Sequence, residues 1–156
     1  MAITVNEGSR APDFTVPTND GTLATLSGYR GSPLVLYFYP KDDTSGCTRE
    51  ALDFTGLLGE FTNAGAKILG VSPDSIEKHA KFHKKHGLGI ALGSDESRQM
   101  VESYGVWIEK SMYGRKYMGV ERSTFLIDKD GVVRKLWRKV KVAGHAEQVL
   151  AAVREL

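Results

Sequence analysis

The chain has 156 residues, of which 41% are hydrophobic and 26% are charged, and its formal net charge is +2. These values are typical of a single globular domain, residues 1–156, that buries a core without disulfide bonds, and they argue against a disordered chain. The near balance of charges argues against nucleic-acid and membrane partners. No apolar run is long enough to cross a bilayer, and the first residues lack a signal-peptide pattern. We therefore expect a cytoplasmic protein.

The hydrophobic pattern predicts strands and helices that mostly alternate along the chain. The predicted strands are residues 13–16, 22–26, 34–39, 66–72, 90–92, 122–127 and 132–137, and the predicted helices are residues 48–63, 74–86, 94–104 and 144–156. The apolar run at 34–39 is typical of a central strand that is buried on both faces. Turn signals at 18–21 and 128–131 indicate two hairpins. This order predicts an α/β, thioredoxin-like sandwich with an N-terminal β-hairpin.

Cys47 is the only cysteine, and it lies between the central strand and the helix that follows it. Backbone N–H groups and the dipole at a helix N-terminus favour the thiolate, which is the nucleophilic form of cysteine. In open α/β sheets the functional crevice lies beyond the carboxyl ends of the strands, where Cys47 is expected. A lone cysteine on the apolar stripe of a helix is, however, more often an inert core residue.

The residues around Cys47 carry a family resemblance. The block YFYPKDDTSGCTREA, together with APDF, GVS, GSD, ERSTFLID and GHA, resembles the bacterioferritin-comigratory-protein (PrxQ) type of peroxiredoxin over nearly the whole chain. Pro40, Thr44 and Cys47 match the Pro-x-x-x-Thr-x-x-Cys signature, and Arg122 matches the family's distant arginine. The resemblance implies the peroxiredoxin fold and a thiol peroxidase for hydrogen peroxide and organic hydroperoxides, without a metal or organic cofactor.

The chemistry of peroxide reduction gives each of these residues a candidate role. Cys47 attacks a peroxide oxygen and becomes a sulfenic acid. Arg122 can stabilise the thiolate and bind the peroxide, while the Thr44 hydroxyl adds a hydrogen bond. The backbone N–H groups of Cys47 and Gly46 would complete the set of donors. By resemblance, Glu50 orients Arg122; alternatively it is an acid placed favourably in the first helical turn.

Pro40 has no N–H group, and it would shield the thiolate from water. Taken singly, each residue of this set has an ordinary local explanation: a proline that ends a strand, a threonine that bonds nearby backbone, an arginine that is solvated. Their joint occurrence favours the catalytic interpretation.

The chain departs from the family where a resolving cysteine is expected, because Leu52 and His83 occupy two common positions for it. An external thiol must then reduce the sulfenic acid. Thioredoxin, glutaredoxin, glutathione and Cys47 of a second copy all remain candidates. We expect a monomer or a weak dimer. Two other functions also stay open: a redox sensor that forms an intermolecular disulfide, and an inactive scaffold with an inert thiol.

His79, His83 and His86 are spaced so that one helix face would present three imidazoles, as in a zinc or copper site. The neighbouring apolar residues favour histidines at the edge of the core instead, and no metal is expected. A basic segment, residues 134–141, surrounds Trp137. We interpret these charges as protection of a sheet edge rather than as a nucleic-acid site.

Overall fold

The computed structural model describes residues 5–156, which form nine strands, five α-helices and a short 3-10 helix, Ser27–Tyr29. The strands are β1 Thr15–Pro17, β2 Leu23–Thr25, β3 Leu34–Phe38, β4 Lys67–Ser72, β5 Ala91–Ser94, β6 Trp107–Met112, β7 Arg115–Val120, β8 Ser123–Ile127 and β9 Val133–Trp137. The helices are α1 Ser45–Gly56, α2 Leu58–Asn63, α3 Ile76–His86, α4 Gln99–Ser103 and α5 His145–Arg154. None of these helices combines the length and apolar character that a membrane span requires.

Five strands form a mixed central sheet in the order β5-β4-β3-β8-β9. Strand β3 runs parallel to β4 and antiparallel to β8, so Leu36 lies between Leu69 and Phe125. Strands β1 and β2 form the N-terminal hairpin, and β6 and β7 form a second, separate hairpin. The predicted α/β sandwich with its N-terminal hairpin is confirmed.

Alternation along β3 divides the core into two layers. Leu34, Leu36 and Phe38 pack in the layer that holds the N-terminal hairpin and α4. Val35 and Tyr37 face the opposite layer, which includes the buried residues of α1, α2, α3 and α5. All five residues of β3 are buried, as the continuous apolar run predicted. The chain leaves β3 at Phe38 and enters α1 at Ser45, after the loop of residues 39–44.

The predicted helix over 48–63 is wrong in two respects. It begins earlier, at Ser45, and it is interrupted at Leu57, so that α1 and α2 are separate helices. Gly56 and Gly59 flank the interruption, and glycine is a poor helix former, which lowers the cost of a break there. The earlier start places Cys47 inside the first turn of α1 instead of ahead of it.

The predicted helix over 94–104 is also too long. Ser94 ends strand β5, where it pairs with Ser72, and only residues 99–103 are helical. The Asp95 carboxylate accepts hydrogen bonds from the backbone N–H groups of Met100 and Val101, at 3.3 and 2.8 Å. The Asp95 side chain thus bonds free N–H groups in the first turn of a helix that begins four residues later, at Gln99.

Smaller differences concern element ends. Ser75, rather than Asp74, caps α3, and its hydroxyl accepts a hydrogen bond from Lys78 N at 3.2 Å. Strand β5 extends two residues past the predicted 90–92, and α5 is two residues shorter than the predicted 144–156 at its C-terminal end. Gly87 follows the last residue of α3 in the left-handed conformation.

The hairpin β6-β7 was not predicted at all. Its strands are largely exposed and carry charged and polar side chains, so no hydrophobic period marks them. The turn residues Tyr113 and Gly114 both have positive φ, 52° and 76°, which is the geometry that matches the twist of two-residue hairpins.

Gly70 of β4 provides a test of core packing. A Cβ atom at this position would lie 2.7 Å from Cζ of Tyr37 and 2.8 Å from its hydroxyl, in a fully buried layer. We expect Gly70→Ala to lower the free energy of unfolding by about 1 to 3 kcal/mol, measured by urea denaturation. Gly59→Ala is the matched control, because nothing lies within 4 Å of its Cβ position. Equal stability of the two variants would contradict the prediction.

Candidate active site

Cys47 is the third residue of α1, and its side chain is almost completely buried, with 2% of the residue exposed. It lies nine residues past the end of β3, at the carboxyl end of the parallel strands β3 and β4. The first backbone N–H groups of a helix have no partner within the helix. Cys47 therefore lies at the positive end of the α1 dipole.

Arg122 lies between β7 and β8, and its guanidinium joins two groups of α1. Nη2 donates a hydrogen bond to Cys47 Sγ at 3.2 Å, and Nη1 donates to Glu50 Oε1 at 2.7 Å. The arginine side chain is 16% exposed and that of Glu50 is 2% exposed. Because Glu50 is three residues beyond Cys47 on the same helix face, one planar fork reaches both.

Gly46 makes room for this arrangement. A Cβ atom at Gly46 would lie 3.3 Å from Arg122 Nη2, which is tighter than most real contacts. The glycine was predicted as a backbone donor, and the structure adds a second reason for its presence. Any larger residue would press on the nitrogen that contacts the sulfur.

Burial sets the electrostatics of Glu50. Removal from water raises its pKa to about 7, against a usual value of 4.5, although the Arg122 charge and hydrogen bond act in the opposite direction. Its second oxygen, Oε2, is buried and has no hydrogen-bond partner among residues 5–156. For Arg122, burial would lower the pKa, but Glu50 and Cys47 outweigh burial and raise it. The guanidinium is therefore a permanent positive charge between a thiol and a carboxyl group.

Thr44 and Pro40 occupy the loop that enters α1. Thr44 is the N-cap residue, and its hydroxyl donates to Lys41 O at 2.9 Å rather than to the sulfur. Its backbone carbonyl accepts from Thr48 N at 2.8 Å. Pro40 is half-buried just after Tyr39. The structure thus brings Gly46, Cys47, Glu50 and Arg122 together, and it gives Thr44 a bond within its own loop.

A buried network that the sequence analysis missed fixes this loop from beneath. Tyr39 OH donates to Asp42 Oδ1 at 2.6 Å, and His79 Nδ1 lies 2.6 Å from Asp42 Oδ2. The other ring nitrogen of His79, Nε2, lies 2.9 Å from Gly93 O. Since a carbonyl only accepts, Nε2 carries a proton. Helix α3 and strand β5 are thereby tied to the loop before Cys47.

A second, exposed contact holds the next residue of the loop. Asp43 has a φ of 62°, a strained left-handed conformation for a residue other than glycine. Its carboxylate accepts from Lys85 Nζ at 2.7 Å, and His86 Nε2 lies 2.9 Å from its other oxygen. We call the buried Asp42 contact and the exposed Asp43 contact together the α3 clamp.

The three-histidine metal hypothesis is not supported by this arrangement. His79 and His86 each bond a different aspartate of the loop, and His83 lines a cavity of about 490 Å³ beside the N-terminal hairpin. Within the described residues, the one grouping with metal-ligand spacing is Asp42, Asp74 and His79. Asp74 Oδ2 there already accepts from Asp42 N and Ser72 Oγ, at 2.8 and 2.7 Å. The group is satisfied internally.

Comparison of the sequence with known proteins finds a matching family and close relatives. The AhpC/TSA family model matches residues 8–136. Peroxiredoxin Bcp of Bacillus subtilis is 47% identical over 154 residues, which cover 99% of this chain and 98% of that protein.

Solved structures agree. The PrxQ of Xylella fastidiosa superposes with a TM-score of 0.93 at 39% identity, covering 99% of this chain and 98% of that one. The bacterioferritin comigratory protein of Xanthomonas campestris, whose structure is described in relation to its alkyl peroxide reduction activity, superposes with a TM-score of 0.87 at 50% identity. That match covers 91% of this chain and 90% of the other.

Glu50 provides a pH-dependent test of the site. Its pKa in the folded protein is higher than in the unfolded chain, so the folded state binds more protons, and stability falls as the pH rises from about 4.5 to 7. Glu50→Gln lacks this proton. We expect the variant to gain stability relative to the parent across that window, by at most about 3 kcal/mol.

The measurement is the free energy of unfolding in guanidinium chloride, at intervals between pH 4.5 and 8. Glu77→Gln, at an exposed position of α3, is the control for exchanging a glutamate for a glutamine. A Glu50→Gln difference that follows that of the control at every pH would contradict the raised pKa of Glu50.

Proposed function

The chain belongs to the AhpC/TSA family, as a peroxiredoxin of the Bcp/PrxQ type, and we propose that it reduces hydroperoxides through a sulfenic acid on Cys47 that an external thiol resolves. The family makes the chain a thiol-dependent peroxidase. The observation that carries the finer proposal is the contact of the Arg122 guanidinium with Cys47 Sγ at 3.2 Å, in a site where Glu50 fixes that guanidinium.

In the first step the Cys47 thiolate attacks one peroxide oxygen in line with the O–O bond. A sulfur–oxygen bond forms, the O–O bond breaks, and the departing oxygen takes a proton and leaves as water or an alcohol. The sulfur loses two electrons and becomes a sulfenic acid. Arg122 supports this step because its Nη2 already donates to the sulfur and the guanidinium can bind the negative charge that develops on the departing oxygen.

The helix start supplies further donors. The N–H groups of Gly46 and Cys47 lie in the first turn of α1, where they have no helical acceptor. Pro40 and Thr44 complete the proposed site from the loop. Thr44 gives its proton to Lys41 O, so its hydroxyl oxygen can still accept a hydrogen bond from a bound hydroperoxide. No metal or organic cofactor takes part in this scheme.

The second step needs another thiol, because the chain contains one cysteine. The incoming sulfur attacks Cys47, the S–O bond breaks, and the oxygen leaves as water. A further thiol then breaks the mixed disulfide, so two thiols are oxidised for each peroxide reduced. A continuous supply of reduced thiol is typical of the cytoplasm, which is the compartment we propose.

The direct test is mass spectrometry of the whole protein after one equivalent of hydrogen peroxide. Without thiol, we expect a gain of one oxygen atom on Cys47; with glutathione, we expect a mixed disulfide and then the reduced protein. Turnover should continue for many equivalents when thiol is in excess. Cys47→Ser should show neither the adduct nor turnover.

Two outcomes would reject the proposal. One is full turnover by Cys47→Ser; the other is consumption of only one equivalent of peroxide in the presence of excess thiol, which would indicate a sensor.

Gly46→Ala tests the positioning of Arg122 by Gly46. The new methyl group meets Nη2 and must displace it by a few tenths of an ångström from the sulfur. We expect the rate constant for oxidation of Cys47 by hydrogen peroxide to fall about tenfold, measured by rapid quenching and mass spectrometry. Gly56→Ala, near the end of the same helix with open space at its Cβ position, is the matched control. Similar rates for both variants would refute this role of Gly46.

A further inference from the structure

Lys110 of β6 extends toward the base of its hairpin, where the chain continues to Arg122. It pairs across the hairpin with Tyr117, yet its Cδ and Cε atoms lie 3.3 and 3.5 Å from the Cβ position of Gly119. The side chain therefore leans along β7 toward the active site. Gly119 allows this because any side chain there would occupy the path of the lysine stem.

The Lys110 ammonium has no acidic partner within 4 Å among the described residues, because the nearby carboxylates are engaged elsewhere. Glu109 pairs with Lys116 at 3.7 Å, on the other face of the hairpin. Glu121 pairs with Arg138 at 3.4 Å, and Glu50 pairs with Arg122. A half-buried cation is thus left without a counter-ion beside the site.

Electrostatics agree with this placement. Burial, and then the Arg122 charge, lower the pKa of Lys110, while Cys47 and Glu121 act in the opposite direction. The Lys110 ammonium therefore interacts electrostatically with Arg122 and Cys47. A cation that has lost part of its hydration gains more from an anion than a fully solvated lysine does.

The depth of the sulfur limits what can reach it. With 2% of Cys47 exposed, a thiol on a protein surface cannot form a bond to Sγ unless the site opens. A small thiol needs less opening than a protein does, and the loop that would have to move is tied to α3 through Asp42 and His79.

We propose that Lys110 is a specificity-determining residue that binds the carboxylate of a small anionic thiol, which reduces the sulfenic acid of Cys47. This inference rests on the proposed function. The thiol sulfur attacks Cys47 Sγ, the S–O bond breaks, and hydroxide leaves with a proton as water. A second thiol molecule attacks the mixed disulfide, the S–S bond to Cys47 breaks, and the Cys47 thiolate is released; the two thiols have given up two electrons and leave as a small-molecule disulfide.

The experiment compares 3-mercaptopropionate with 2-mercaptoethanol, two small thiols of which only the first carries a carboxylate. Each reduces protein that was oxidised with one equivalent of hydrogen peroxide, and the readout is the ratio of their rate constants. We expect Lys110→Met to lower this ratio about fivefold at low ionic strength, and less at high salt. Lys110→Arg should retain most of the ratio. Lys116→Met, on the other hairpin face, is the matched control and should leave the ratio at its parental value.

A parallel comparison uses a carboxylate-bearing hydroperoxide and a neutral alkyl hydroperoxide in the oxidation step. If Lys110→Met changes only this second ratio, the lysine recognises the peroxide and the inference about the reductant is wrong. An unchanged thiol ratio, or reduction by a protein thiol much faster than by either small thiol, also overturns it. Failure of the proposed function is distinguishable, because then no oxygen adduct forms on Cys47 in any variant.

Discussion

The Arg122 guanidinium contacts two groups at once, Cys47 Sγ at 3.2 Å and Glu50 Oε1 at 2.7 Å, and the site depends on this double contact. Helix α1 supplies the thiol and the carboxyl group one turn apart, and Arg122, just before β8, supplies the cation. The arrangement requires the antiparallel pairing of β8 with β3, because that pairing brings residues 75 positions apart within hydrogen-bond distance. The geometry of the site therefore depends on the pairing of these two strands.

Local pattern predicted those elements whose hydrophobic period is strong. Strand β3 and the turn at 128–131 follow from an apolar run and from turn residues, and both lie where the sequence placed them. The exposed β6-β7 hairpin carries no such period, and its Lys110 was therefore missed. The break at Leu57 depends on two glycines whose effect on a helix is small unless tertiary packing selects it.

Within the site, the family resemblance identified Pro40, Thr44, Cys47 and Arg122 as a set, and it also suggested that Glu50 orients Arg122. The geometry joins Arg122 to both Cys47 and Glu50, while the Thr44 hydroxyl is bonded within its loop. The Asp42–His79 contact was beyond sequence reasoning, because a histidine on one helix and an aspartate in a loop show no mutual pattern until the fold brings them together. The spacing of the three imidazoles resembles that of a metal site, but two of the rings contact the carboxylates of Asp42 and Asp43.

The α3 clamp affects local unfolding of the protein. Its two aspartates, one buried and one exposed, attach the loop that holds the strained residue Asp43 to helix α3. Loop and helix therefore form one cooperative unit of local unfolding, and fraying of α3 from its C-terminal end would release the Asp43 contacts before the buried Asp42 contact. The rigidity of the loop before Cys47 is thus limited by the free energy of opening a neighbouring helix.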